Sequence, residues 1–360
     1  MAFSSMNTRI EVQLEHEEGD GITSEQYANE LRGWFEECES RFSRFRPDSE
    51  LSRLNSSGGE WIILSDRLYD VLAQAESYRK ATNGWFDIRI LPALEAAGYD
   101  RSYEKFAAGV DARLPILIEG SCTSDKSSRK RQEGINADPA GFLEQNPGMK
   151  AVRLAEGSLL DLGGIAKSWT VAQAGLWFRA RRGLRAGIIN AGGDALVWQH
   201  DRNGEPTSFV IESPWDGKTS IGELMLLNGA VATSSVLGRR WLTDDGVRHH
   251  LIDPVTGQPS RSEVVQATVA GRDVVTCEIW AKVLCMAGAE AISAMQAHSP
   301  GCEALIVKHD GGIVWSGRSS SGFTCQWRSD DFVPSSQESA RIRELSPEIR
   351  ELRNRRGIIV

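Results

Sequence analysis

The chain has 360 residues, and 41 Lys and Arg against 49 Asp and Glu leave a formal charge of −8. That length suits two or three domains or one large domain, while 41% apolar and 25% charged residues exclude a mostly disordered chain and a multi-pass membrane protein. The mild acidity argues against non-specific nucleic-acid binding, and 35 glycines, about one residue in ten against a usual 7%, promise many turns or close backbone approaches.

The first residues carry no basic stretch followed by an apolar core, and no apolar run reaches about 18 residues. Neither a secretory signal nor a membrane span is expected. Residues 7–16 alternate apolar and polar, as a half-buried strand does. Thr23 and Gln26 form a capping-box pattern ahead of a helix whose buried stripe is Tyr27, Leu31, Trp34, Phe35, Cys38 and Phe42. A polar loop follows, then a helix capped by Ser65, with Leu68, Val71, Leu72 and Ala75 inward and Asn83-Gly84 as its stop. Residues 84–100 read as half loop and half short helix. Residues 119–149 are polar and read as a variable surface insertion.

A strand at 151–154 leads to Asp161-Leu162-Gly163-Gly164-Ile165-Ala166-Lys167-Ser168, a glycine turn opening a helix that ends at Gly183. Strands are expected near 186–190, 195–199, 208–212, 223–228 and 264–270. Helices are expected near 274–288 and 289–298, and a hairpin near 304–316. The charged tail, 318–360, reads as an extension, with its last 30 residues helical. The six cysteines form no CxxC pair, so reduced, mostly buried thiols in a cytoplasmic protein are expected, with Cys277 and Cys285 in the core. Strands and helices mix without strict alternation, so the fold class is α+β.

Five segments carry chemistry. Gly163 and Gly164 let backbone approach a bulky anion, and the helix N-terminus behind them with Lys167 would hold phosphate; a plain strand-to-helix turn gives the same pattern. Asn190-Ala191-Gly192-Gly193-Asp194 is a glycine-rich hairpin or a second close-approach point. Thr233 and Ser234 are hydroxyl residues able to reach phosphate or ring oxygens, or ordinary loop residues. In His249-His250-Leu251-Ile252-Asp253-Pro254-Val255-Thr256-Gly257 a His near an Asp offers a general base on a shaped turn. Glu278 and Lys282, spaced i, i+4, share a helix face within an apolar stretch, where a surface ion pair would be out of place.

Taken in this order, these segments resemble the ApbE-type flavin transferases, together with Ser5-Met6-Asn7-Thr8, Phe45 to Asn55 and Gly84-Trp85-Phe86-Asp87. The resemblance covers about residues 5–317. It implies a two-lobed, T-fold-related α+β domain with FAD in a cleft between lobes. The implied activity is that of an FAD:protein FMN transferase, which attaches FMN to a Thr or Ser of an acceptor flavoprotein and releases AMP. By the same resemblance, Met6, Phe45, Trp85, Phe86 and Asp87 line the ring pockets. Gly163, Ala166, Lys167, Thr233, Ser234 and Thr256 bind the cofactor. His250 is the base, with Asp253 beside it, and magnesium sits on the Ala166 carbonyl and on Glu278.

The sequence departs from that pattern at the metal. Glu278 stands where the family has Asp, and Lys282 stands where it has a ligating Thr; an ammonium cannot ligate magnesium. Ser168 and Ser235 replace glycines, and Ala172 replaces an Asp. Two accounts stay open: Lys282 substitutes for the metal's charge, or the Glu278–Lys282 pair marks an FAD-binding relative without transferase activity.

Overall fold

The computed structural model describes residues 1–15, 22–102, 143–201, 204–244 and 246–317, and the backbone of three strands beyond them. Local chemistry sets the helices. The Thr23 hydroxyl accepts the Gln26 amide (3.2 Å) and the Gln26 side chain accepts the Thr23 amide (2.7 Å), which starts α1 (Ser24–Phe42) as its capping box predicts. Tyr27, Leu31, Phe35, Cys38 and Phe42 are buried along it. Ser49 caps α2 (Glu50–Asn55), a helix inside the segment expected to be loop. Six residues hold too little periodicity to stand out, and its stability comes from burying Leu51 and Leu54. Ser65 caps α3 (Asp66–Ala81), and α4 (Leu91–Ala96) follows. The Gly163-Gly164 turn opens α5 (Ala166–Arg181), and Asp273 caps α6 (Val274–Ala287), with α7 (Ile292–His298) after it.

Nine strands form the main sheet: β1 (Ala2–Ser5), β2 (Thr8–Glu15), β3 (Ala186–Ala191), β4 (Asp194–Gln199), β5 (Gly229–Ser235), β6 (Val264–Gly271), β7 (Glu303–Lys308), β8 (Ile313–Gly317) and β9 (Arg341–Leu345). They lie side by side in chain order, and every neighbouring pair is antiparallel. The sheet is therefore a meander whose longer connections carry the helices: α1 to α5 between β2 and β3, α6 and α7 between β6 and β7. Helix α6 packs on β5 and β6, and α5 packs on β3, β4, α1 and α6. Strands Thr207–Glu212 and Ser220–Leu226 pair in a second sheet, flanked by Cys325–Arg328 and Ile358–Ile359. Phe209, Ile211, Leu224 and Leu226 of that sheet join the same apolar core as the main sheet.

Two tight hairpins bear on the site. The register Ser5↔Thr8 leaves Met6-Asn7 as a two-residue turn with φ of 51° and 56°, and Ala191↔Asp194 leaves Gly192-Gly193 with φ of 64° and 99°. Both are the mirror-image turns that match strand twist. A side chain at Gly192 would run into Thr8. That glycine pair thus serves the hairpin, which sets Asp194 at the start of β4.

Four expectations change. Strand β1 adds a hairpin partner to the anticipated first strand. Residues 229–235, expected to be loop from Val231 on, form central strand β5, paired along its two edges with β4 and β6. The insertion expected at 119–149 falls outside the described residues up to 142, and Leu143–Asn146 is a strand paired with Ala151–Leu154. The tail carries three strands, Cys325–Arg328, β9 and Ile358–Ile359, the last two within the 30 residues expected to be helical. The rest of the tail lies outside the described residues.

Candidate active site

A cleft of about 1120 Å³, open solvent at its mouth included, is lined from several directions. One wall is aromatic. It contains Phe45, Trp85, Phe86 and Tyr99. Tyr99 stacks on Trp241 at 5.2 Å, and the Trp241 indole donates to the Ala97 carbonyl (2.6 Å). The Arg44 guanidinium lies over Phe45 (4.2 Å) and Tyr99 (5.0 Å), donates to the Tyr99 carbonyl (2.6 Å) and pairs with Asp161 (Nε–Oδ2 2.7 Å). Sequence reasoning missed Arg44 and Tyr99, because nothing local distinguishes an arginine that will be buried against aromatic rings. Asp87 lines the same wall, but Arg89 holds its carboxylate at 3.0 and 2.6 Å.

The rim is the Met6-Asn7 turn. Glu39 of α1 ties it down, accepting from the Ser5 hydroxyl (2.8 Å) and the Met6 amide (2.9 Å). Met6 in a left-handed conformation is a strained placement kept by these bonds.

The floor is charged. Gly163 and Gly164 line it, and α5 begins there without a side-chain cap, its Ala166 amide donating to the Leu162 carbonyl (2.8 Å), so the helix brings its positive dipole end to the floor. Lys167, one residue inside α5, donates to Asp194 and to Glu278 Oε1 (3.2 Å). Lys282, one turn along α6 from Glu278, donates to the same Oε1 (2.6 Å). The Ser168 hydroxyl donates to Glu278 Oε2. Glu278 is completely buried, and Asp194 nearly so. Gly164 is needed for this packing: a Cβ there would stand 3.2 Å from the Phe86 ring and 3.6 Å from Lys282 Cε. The Lys167–Asp194 and Ser168–Glu278 pairs span 27 and 110 residues, so no local pattern announces them.

The two carboxylates titrate apart. Burial pushes Glu278 up, but Lys167 and Lys282 outweigh it and bring it down to about 2. Burial, then the charge of Glu278, raises Asp194 above its ordinary value. Burial lowers Lys167, but Asp194 and Glu278 outweigh it and hold the ammonium above its usual range.

His250 faces the same cleft, beside Arg239. Burial, followed by the charges of Arg239, His249 and Lys282, lowers it well below the usual histidine range, so it is neutral at pH 7. Its Nδ1 lies 3.4 Å from the Arg239 carbonyl oxygen. A carbonyl only accepts, which places the proton on Nδ1 and leaves Nε2 as the basic nitrogen.

Of the residues expected at the site, the structure brings Met6, Phe45, Trp85, Phe86, Asp87, Gly163, Ala166, Lys167 and His250 onto one cleft. The other four are engaged in local contacts and do not line it. Thr233 pairs its hydroxyl with Thr268 across β5 and β6 (2.9 Å), and the Ser234 carbonyl accepts from Cys285 (3.2 Å). Thr256 accepts the Gln258 amide (3.3 Å), and Asp253 accepts the Val255 amide (2.9 Å), both within the turn after His250. Of the expected metal ligands, Glu278 already accepts from two ammonium groups and a hydroxyl, and the Ala166 carbonyl accepts from the Thr170 hydroxyl (2.7 Å). That donor set does not fit a divalent cation. Among the described residues no group of three or more His, Cys, Asp or Glu is arranged to hold one.

Comparison with known proteins gives a consistent picture. A model of the ApbE family matches residues 6–306. The FAD:protein FMN transferase of Vibrio cholerae is 28% identical over 287 residues, covering 79% of this chain and 80% of that protein. The FAD:protein FMN transferase of Haemophilus influenzae is 24% identical over 327 residues, covering 90% of each. In fold, the chain matches the crystal structure of the ApbE protein from Thermotoga maritima with a TM-score of 0.70 at 23% identity, over 87% of this chain and 95% of that one. The flavin transferase ApbE from Vibrio cholerae matches with a TM-score of 0.68 at 24% identity, over 90% and 98%.

Proposed function

We propose that this chain, which belongs to the ApbE family, is an FAD:protein FMN transferase that moves FMN from FAD onto a serine or threonine hydroxyl of an acceptor flavoprotein and releases AMP. The observation that carries this reading is a neutral His250 on the same cleft as Lys167, Lys282 and the N-terminus of α5. The aromatic wall takes the flavin or adenine ring, and the charged floor takes the diphosphate.

The acceptor oxygen attacks the phosphorus of the FMN half, forming a new P–O bond. The bond from that phosphorus to the bridging oxygen breaks, and its electron pair leaves with AMP. The hydroxyl proton passes to Nε2 of His250. Phosphoryl transfer asks for positioning and charge stabilisation more than for covalent help. Lys167, Lys282 and the positive dipole end of α5 supply the charge from fixed positions. Nδ1–H, held on the Arg239 carbonyl, keeps the imidazole in the tautomer the step needs. No helix among the described residues is long and apolar enough to cross a membrane. The free, buried Cys38, Cys277, Cys285 and Cys302 suit a reducing compartment such as the cytoplasm.

The test mixes the protein with FAD and an acceptor flavoprotein domain. Fluorescence of the denatured acceptor reports covalent flavin. Wild type is expected to flavinylate the acceptor. His250→Ala is expected to bind FAD with little change and to flavinylate at least about a hundredfold more slowly, the usual scale of a lost general base. An unimpaired His250→Ala would overturn the assignment of the base. Flavin binding with no covalent product from wild type would instead favour a binding protein.

A further inference from the structure

The donor set at Glu278 leads beyond the transferase reading, on which the next step rests. A divalent cation in this cleft needs oxygen donors with free lone pairs. Glu278 Oε1 accepts from Lys282 (2.6 Å) and Lys167 (3.2 Å), Oε2 accepts from Ser168, and the Ala166 carbonyl is held by Thr170 (2.7 Å). Two ammonium groups already occupy the ground on which a cation would stand, and both would repel it.

The same geometry supplies a replacement. Lys282 lines the cleft with most of its side chain buried, its Cε packed 3.6 Å from where a Gly164 Cβ would stand. Glu278, fully buried on the preceding turn of α6, fixes the ammonium from behind. An ammonium carries three N–H donors. One goes to Glu278, which leaves the others for an anion on the cleft side. Lys167, at the first turn of α5, donates to the same carboxylate oxygen.

We propose that the Lys282 ammonium, anchored on Glu278 and paired with Lys167, takes the place of a divalent cation, so that the diphosphate of FAD is bound and its charge met without metal. The two phosphates are then met by fixed N–H donors rather than by an exchangeable ion. Affinity should be insensitive to chelators and sensitive to ionic strength.

The experiment measures the affinity of the full chain for FAD and for ADP, by flavin fluorescence and by calorimetry, in EDTA and in millimolar magnesium. The two wild-type dissociation constants should agree within about twofold. Lys282→Met should weaken both ligands at least tenfold in EDTA. Lys282→Thr should weaken them likewise in EDTA and recover in magnesium, since a hydroxyl restores an oxygen donor and removes the competing charge. Thermal melts of each variant separate lost binding from lost folding. Should both variants fail to fold, the wild-type comparison still decides.

Wild-type binding that disappears in EDTA and returns with magnesium would overturn the proposal, whatever the transferase assay shows. Conversely, metal-free binding without covalent transfer leaves this proposal standing and removes the transferase reading.

Discussion

The floor and the wall of the cleft are built on opposite principles. The wall is apolar: Phe45 meets Tyr99 edge-on, Tyr99 stacks on Trp241, and one buried cation, Arg44, lies over Phe45 and Tyr99. The floor is ionic and non-local: two lysines and two carboxylates from α5, β4 and α6 meet at one point. Losing a ring removes some contact area and leaves the rest intact. Removing one charge leaves the others buried without a counter-charge, which costs far more than the pair contributes when whole. The wall should therefore tolerate substitution by degrees, and the floor should fail as a unit.

Glu278→Ala should have the largest effect. It leaves two mostly buried ammonium groups without their shared acceptor, and a loss of about 3–5 kcal/mol in urea unfolding is expected. A loss under about 1 kcal/mol would mean that water reaches the lysines and that the floor is not a unit. Gly164→Val joins both regions, since its side chain pushes on the Phe86 ring and on Lys282 together. FAD affinity should fall at least about tenfold, or 1.4 kcal/mol, with ADP affinity falling alongside it. If only one ligand responds, the regions are not coupled through Gly164. Ser168→Ala takes one donor from Glu278 Oε2, and about 1–3 kcal/mol should be lost. Tyr99→Leu keeps apolar bulk and loses the Trp241 stack, so a loss of only about 0.5–1.5 kcal/mol in urea unfolding is expected.

Acidity separates the two histidines from the floor. Burial is the main cause that lowers both, His249 to about 4 and His250 well below its usual range. Below the usual histidine value of about 6.5 the unfolded chain binds protons that the folded chain refuses, so stability should fall as pH drops from about 6.5 to 4. Glu278, held at about 2, works in a lower window. Its contribution is present above the ordinary carboxylate value near 4.5 and is lost as pH falls from there towards 2. A urea midpoint that declines between pH 6.5 and 4.5, and declines less steeply in His249→Gln, would assign that part of the curve to the histidines. A decline that begins only below 4.5 would contradict it.

These differences track what sequence can carry. The capping box at Thr23, the Ser65 cap and the glycine turn before α5 are legible because their causes lie within a few residues. Strand β5 was not, because Ala230 to Ser235 are small and hydroxyl residues whose strand pairing is imposed by β4 and β6. The same holds at the site. Lys167, Glu278 and Lys282 stand out as charged residues beside apolar or glycine-rich stretches, and His250 as one of a pair. That Asp194 would meet Lys167, or that Ser168 would seal Glu278, depends on the meander that brings β4, α5 and α6 together. The glycine excess divides in the same way: Gly163 and Gly164 face the cleft, whereas Gly192 and Gly193 turn a hairpin.

The most direct measurement of the central claim is the ratio of AMP released to flavin covalently attached, followed in one reaction with FAD and an acceptor flavoprotein. A transferase that splits FAD between its phosphates gives one AMP for each flavin attached, with neither product formed when the acceptor hydroxyl is removed. FAD bound in the cleft with no AMP and no covalent flavin, or AMP released without flavin attachment, would contradict the account.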